Sequence, residues 1–149
     1  MKMLFATDDA WSGLILRLTL GFVMFPHGAQ KLLGWYGGFG FSGTLNFFTE
    51  KMHLPWIIAL LIIIGESFGS LGLIVGFLTR FTAASLITIM VGAIWLVHWP
   101  NGFFMNWFGK QAGEGYEYHL LVIAIGLALI LTGAGRWSMD GLISKQLKS

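Results

Sequence analysis

IIALLIIIGESFGSLGLIVGF, residues 57 to 77, carries one charged side chain, Glu66, near the middle of an otherwise uncharged stretch. At 1.5 Å of rise per residue, about twenty helical residues cover the roughly 30 Å of a bilayer's hydrocarbon, and this stretch has that length. A carboxylate at the centre of such a helix costs roughly 2.5 to 3.5 kcal/mol on insertion scales, so it must face other helices and there find a partner or keep its proton. Gly65, Gly69, Gly72 and Gly76 recur beside it at helical spacing. They form a stripe of small residues against which a second backbone can approach closely. The stretch therefore reads as one helix of a membrane-embedded assembly.

Three further apolar runs of similar length lie on either side of it. The four spans are read as approximately 11–33, 56–78, 81–99 and 116–132, all within a single transmembrane domain over 1–149. Of the 149 residues 56% are hydrophobic and 11% charged, where a soluble domain carries roughly 25% charged residues. The fold class expected is all-α, a transmembrane four-helix bundle. The first outer loop, GGFGFSGTLNFFTEKMHLP, supplies an interfacial amphipathic segment in which Ser42 is a candidate helix N-cap and Pro55 the stop. The second, PNGFFMNWFGKQAGEG, is aromatic and glycine-flanked, suited to dipping into the interface or covering a site. The first run resembles a signal peptide in hydropathy, yet Arg17 interrupts it and no small-x-small cleavage site follows, so it is read as a permanent helix.

Charge asymmetry orients the chain. Lys2, Arg80, Arg136, Lys145 and Lys148 share one side, and Lys51 and Lys110 the other, which puts both termini in the cytoplasm. The net charge of +2 comes from scattered residues, without the basic cluster that nucleic acid requires. With no cysteine in the chain, thiolate catalysis and Cys-ligated metal centres are excluded.

Polar residues inside the spans are the candidate site. Arg17 is the first-choice partner for Glu66, an Arg–Glu pair closed by snorkelling, with a pure helix-register role as the alternative. In FPHGAQKLLG, Pro26 removes a backbone donor just below His27, and Lys31 follows His27 by four residues on the same face. HWPNGFF and GYEYHLL bring His98, Glu117 and His119 to the same outer level as His27, with Trp95, Trp99, Phe103 and Tyr118 as aromatic walls suited to a flat ring such as a quinone. No two of these histidines show the spacing of a dedicated metal motif, so no metal is assigned. A histidine titrating near neutrality fits a polar headgroup site equally well. In the tail, Trp137 reads as an interfacial anchor, Ser138 as a cap, and Asp140 as a link to Arg136 and Arg80.

Arg17, Gly21, His27, Gly28 and Lys31, the glycine-rich outer loop, the run from Gly65 and Glu66 to Thr79 and Arg80, the Gly-Tyr-Glu-Tyr start of the last span, and the Gly-Arg-Trp-Ser stretch ending at Asp140 together resemble the DoxX family of small bacterial and archaeal membrane proteins. The resemblance covers nearly the whole chain. It implies a four-helix bundle in the inner (cytoplasmic) membrane, associated with respiratory quinone chemistry, sulfur oxidation and resistance to oxidative or quinone stress, with the redox partner often a separate polypeptide. Arg17, His27, Lys31, Glu66, Arg80, Glu117 and Asp140 occupy the positions that resemble the family pattern.

Three functions follow as expectations. The first is a membrane redox subunit binding a quinone, with Glu66, Arg17 and His27 in the chemistry and Lys31, His98, Glu117, His119, Trp99 and Tyr118 around the ligand. The second is a non-catalytic scaffold or assembly subunit in which Gly65, Gly69, Gly72, Gly76, Arg80 and Asp140 set the packing. The third is a small transporter, for which four spans would call for a homo-oligomer.

Overall fold

The computed structural model describes residues 3–147, so Lys2 and Lys148 lie outside the described residues. Those residues form six α-helices and no strand. Helix α1 is Trp11–Leu33, α2 is Gly40–Asn46, α3 is Trp56–Val75, α4 is Thr79–Ala93, α5 is Glu117–Thr132 and α6 is Met139–Gln146. A π-helical turn, Phe47–Lys51, extends α2, and another, Ile94–His98, extends α4 into a short 3-10 turn, Trp99–Asn101. Two of these elements are long and apolar enough to cross a membrane, Trp56–Val75 and Thr79–Asn101. Helix α1 is long but interrupted by Arg17 and Lys31, and α5 is apolar but has only 16 residues.

The helix ends follow local chemistry. Pro55 precedes α3, where its missing N–H removes nothing from the hydrogen-bond ladder. Gly76 then stops α3 in the left-handed region (φ 70°), three residues before the end expected from hydropathy. Helix α4 begins at Thr79 because a carboxylate from another helix meets its first amides. Asp140 of α6 accepts hydrogen bonds from Leu78 N at 2.8 Å and from Thr79 N at 2.9 Å. Ser138 caps α6 by accepting from Gly141 N at 3.1 Å. Ser42, in contrast, does not cap α2. The helix starts two residues earlier, at Gly40, behind a turn in which Gly38 lies against the backbone of Gln30.

Helix α1 packs most extensively on α3, and α4 on α5; α3 meets α4, and α1 meets α5 over a smaller area. The α1–α3 contact is nearly backbone to backbone. A Cβ added at Gly28 would stand 2.6 Å from Ser67 Cα, and one at Gly21 3.1 Å from Ser70 O. Across this contact Ser67 Oγ donates to Gly28 O at 3.0 Å. The glycines of α3 face the other way. Gly65 and Gly69 lie against Ile89 and Thr82 of α4. One helix thus uses small residues on two faces, and Leu20, Met24, Leu73, Ala83, Leu86, Met90, Val122 and Leu129 fill the space between all four. Large apolar side chains, including Phe22, Leu61, Phe68, Phe81 and Leu131, cover the outward faces.

Because the atoms facing Gly28 are backbone, Gly28→Ala should push α1 away from α3 and cost about 1–3 kcal/mol, as overpacking does. Gly92→Ala, where nothing lies within 4 Å of the added carbon, should leave thermal unfolding in detergent nearly unchanged. Equal melting temperatures for the two variants would contradict this packing.

Candidate functional site

The charged groups of α1, α3, α4 and α5 separate into two sets, an inner one at the end of the helices nearer the chain termini and an outer one at the opposite end. At the inner end Arg17 is 1% exposed, and among the described residues it forms no salt bridge, although Asp140 is near enough to act on it electrostatically. Its guanidinium donates to Ala134 O at 2.9 Å, Leu73 O at 3.1 Å, Ile74 O at 2.5 Å, Arg136 O at 3.1 Å and Trp137 O at 2.9 Å. The Arg17–Glu66 pair expected from the sequence is therefore not formed. Helix α3 ends at Val75, so its last carbonyls keep acceptor capacity, Leu73 O accepting besides only from Gly76 N at 3.2 Å, and the 134–137 segment folds beneath α1 to present three more; together they occupy the whole donor fork. Arg80 plays a similar part for α5, donating to Ala6 O, Ile130 O and Leu131 O. Asp140 engages backbone amides and not the arginines, contrary to the tie to Arg136 and Arg80 read from the tail. Arg136 instead lies over the Trp11 ring and 3.4 Å from Asp9.

Glu66 belongs to the outer set. It is buried, and its Oε2 accepts from Lys31 Nζ at 2.6 Å, an ion pair joining α3 to the outer end of α1. From the sequence, Lys31 is expected around the ligand and is not paired with Glu66. Its four methylenes instead let the ammonium reach inward along the face it shares with His27.

A row of rings crosses from α1 to the end of α4 above this pair. His27 and Tyr118 have centroids 5.9 Å apart, Tyr118 and His119 5.6 Å, and His119 and His98 4.1 Å. The π-helical turn Ile94–His98 carries His98 at its end, facing α5. Such turns insert a residue into the helical register and are frequent at functional sites. His98 Nδ1 shares a 2.8 Å hydrogen bond with Glu114 O. His119 is 6% exposed and its Nδ1 has no hydrogen-bond partner. A buried polar atom without a partner carries a desolvation penalty that a bound group would relieve. The Tyr118 hydroxyl donates only to the Met24 thioether, at 3.4 Å, a weak acceptor that a better one would displace. Glu66 is near enough to act electrostatically on both His27 and Tyr118.

Not every residue of the expected site joins this row. Glu117 Oε1 accepts from Met105 N at 2.9 Å and from Trp107 Nε1 at 3.2 Å, so it clasps the second outer loop. Trp99 is exposed and stacks on Tyr116 at 5.4 Å, outside the row. Among the described residues no three His, Asp or Glu side chains group to hold a metal ion. Met24 was not foreseen as part of the site; its thioether has no motif to announce it.

Helices with apolar outward faces, and charges turned inward to partners, define a small helical membrane protein. The chain belongs to the DoxX family, whose sequence profile matches residues 12–99. It is 34% identical over 135 residues to an uncharacterized protein of Haemophilus influenzae, covering 89% of this chain and 83% of that one. It is 29% identical to the "Putative oxidoreductase CatD" of Bacillus subtilis (91% and 90% covered) and 31% identical to the inner membrane protein YqjF of Escherichia coli (76% and 82% covered). No solved structure matches it significantly.

Replacing Lys31 by Met strands a buried carboxylate and should destabilise the protein by about 3–5 kcal/mol, as breaking one half of a buried pair does. Adding Glu66→Gln to Lys31→Met should recover most of that loss, because the pair's net worth is small once both charges are gone. Thermal unfolding of the two variants in the same detergent checks this; a double variant no more stable than the single would exclude the pairing.

Proposed function

We propose that the protein is a quinone-linked redox subunit of the inner membrane. In this reading α1, α3, α4 and α5 form a transmembrane four-helix bundle, α2 and its π-helical extension lie along the outer interface, and both termini are cytoplasmic. The ligand is a lipophilic ring bearing carbonyl or hydroxyl oxygens, held near the outer leaflet.

The observation that carries the reading is the ring row above the buried ion pair. His119 Nδ1 lacks a partner and the Tyr118 hydroxyl has only a thioether, so two polar side chains within one row are left to meet ligand oxygens. Beneath them, the Lys31–Glu66 pair supplies an exchangeable proton and a compensating charge. A quinone takes up a proton with each electron, so a site for it needs such groups at hand. His27 holds the ligand from α1, and His119 from α5. Arg17 is assigned to the fold rather than to the chemistry, since every donor it has is engaged by backbone. With no cysteine in the chain, electrons come from or go to a partner protein. A relative's description as an oxidoreductase is in keeping with this.

The exposed aromatic side chains of the second outer loop favour a second reading, a non-catalytic scaffold. Trp107 and Phe108 are 77% and 86% exposed although Glu114 and Glu117 hold the loop in shape. Affinity for a short-tailed benzoquinone, measured on protein in lipid nanodiscs, separates the two. The redox reading expects Glu66→Gln and His27→Ala each to weaken binding about tenfold or more, the worth of a charge-assisted hydrogen bond. Unchanged affinity in both variants would leave the scaffold.

A further inference from the structure

We propose that the ligand enters this site sideways from the lipid, through a portal between the outer halves of α1 and α5 that Tyr118 gates. The inference rests on the ring row being the binding site, and it deepens that reading by naming the ligand class as membrane-dissolved rather than aqueous.

The seam between α1 and α5 is fastened at one end only. At the inner end the chain just beyond α5 is locked to α1 and to the segment before it: an added Cβ at Gly13 would stand 2.7 Å from Gly135 N, and Gly135 N donates to Thr7 Oγ1 at 2.7 Å. Midway, Leu20 and Met24 of α1 share the core with Val122 and Leu129 of α5. Above Met24 the connections given by the described residues are side chain to side chain, the His27–Tyr118 ring contact and the 3.4 Å bond from Tyr118 to Met24 Sδ. Both yield to a rotation of the Tyr118 side chain, with no backbone ladder to break. The same stretch of α1 is, on its other face, locked to α3 through Gly28 and Ser67. The freedom therefore lies on the α5 side alone.

Exposure points the same way. His27 is exposed although it sits on the face of α1 next to buried Met24, and Val23, one turn inward of it, is exposed too; on α5, Leu121 next to Tyr118 is 65% exposed. In the bundle reading proposed above these positions stand at the level of the bilayer, so what reaches them is lipid. The watery end is better closed. Tyr116 N and Glu117 N donate to Gly102 O and Phe103 O, Glu117 clasps Met105 and Trp107, and His98 and Asn101 both bond to Glu114 O. The second outer loop is thus folded down on the helix ends from which it leaves. A neutral ring partitioned into the bilayer meets His27 at the mouth, displaces the Tyr118 hydroxyl from Met24, and gains both His119 and the ion pair behind it.

The cysteine-free chain allows a direct test in nanodiscs that needs no ligand. Met24→Cys places a thiol just behind Tyr118, and Leu86→Cys places an equally buried one in the core as a control; both native residues are nearly inaccessible. With a lipid-soluble N-alkyl maleimide, the thiol at 24 should react about tenfold or more faster than that at 86, and faster again when Tyr118→Ala is added, since labelling follows local opening. Equal rates at 24 and 86 in both backgrounds would overturn the portal. In parallel, binding of the short-tailed benzoquinone is followed in Val23→Cys/Leu121→Cys protein before and after bridging with a flexible bis-methanethiosulfonate, which joins the two thiols through disulfides. Association slowed about tenfold by bridging and restored by reductant supports lateral entry; unchanged association on bridged protein overturns it. Fast labelling at 24 in a protein that binds no quinone would uphold the portal and reject the quinone reading.

Discussion

A guanidinium removed from water must place every N–H against an acceptor, and Arg17 does so with backbone carbonyls alone. Much of the inner half of the molecule follows from that requirement. The chain after α5 has to run under α1, which is why Gly13 and Gly135 approach so closely that neither tolerates a side chain. Helix α3 has to stop where its last carbonyls can be reached, and Gly76, with Arg17 Cζ 3.1 Å from where its Cβ would be, is the residue that lets it. Arg80 obeys the same rule, and Asp140 obeys it with opposite sign. A carboxylate satisfies the amides at the start of α4, and a guanidinium the carbonyls at the end of α5.

The outer half is built to a different standard. Its ion pair is made by a single bond, its tyrosine settles for a thioether, and one buried imidazole nitrogen has nothing to bond. In a medium without water, such shortfalls are costly unless a ligand makes them good. An inner end tied through the backbone by Arg17, Arg80 and Asp140, and an outer end with bonding capacity to spare, are what a helical protein needs in order to bind something without losing its fold. The two ends share helices, so the inner lattice holds α1, α3 and α5 in place while side chains at the outer end rearrange.

Much of this could be read from residue order. The periodicity and length of the apolar runs imply helices, the buried charges imply inward faces, and the shared outer level of His27, His98 and His119 implies a common site. Which charge meets which could not be read so directly. Counting along two helices gives depth, and by depth alone Arg17 and Glu66 are compatible. Their pairing depends also on the rotation of each helix about its axis and on competing acceptors, and those are set by chain far away in sequence, the 134–137 carbonyls above all. Glu117 shows the same limit in reverse. A carboxylate among histidines reads as a ligand, yet it serves a backbone amide and an indole N–H of the loop that folds back over it.

By itself, then, the sequence determined that this chain is helical, that it belongs to a membrane, and that its ionisable residues turn inward, because hydrophobic burial and the cost of bare charge act on each helix locally. Only the tertiary structure decided that Lys31 rather than Arg17 answers Glu66, and that Arg17 is spent on the backbone. The reason is physical: a hydrogen bond requires a donor and an acceptor within about 3 Å, and packing alone brings such atoms together from opposite ends of the chain.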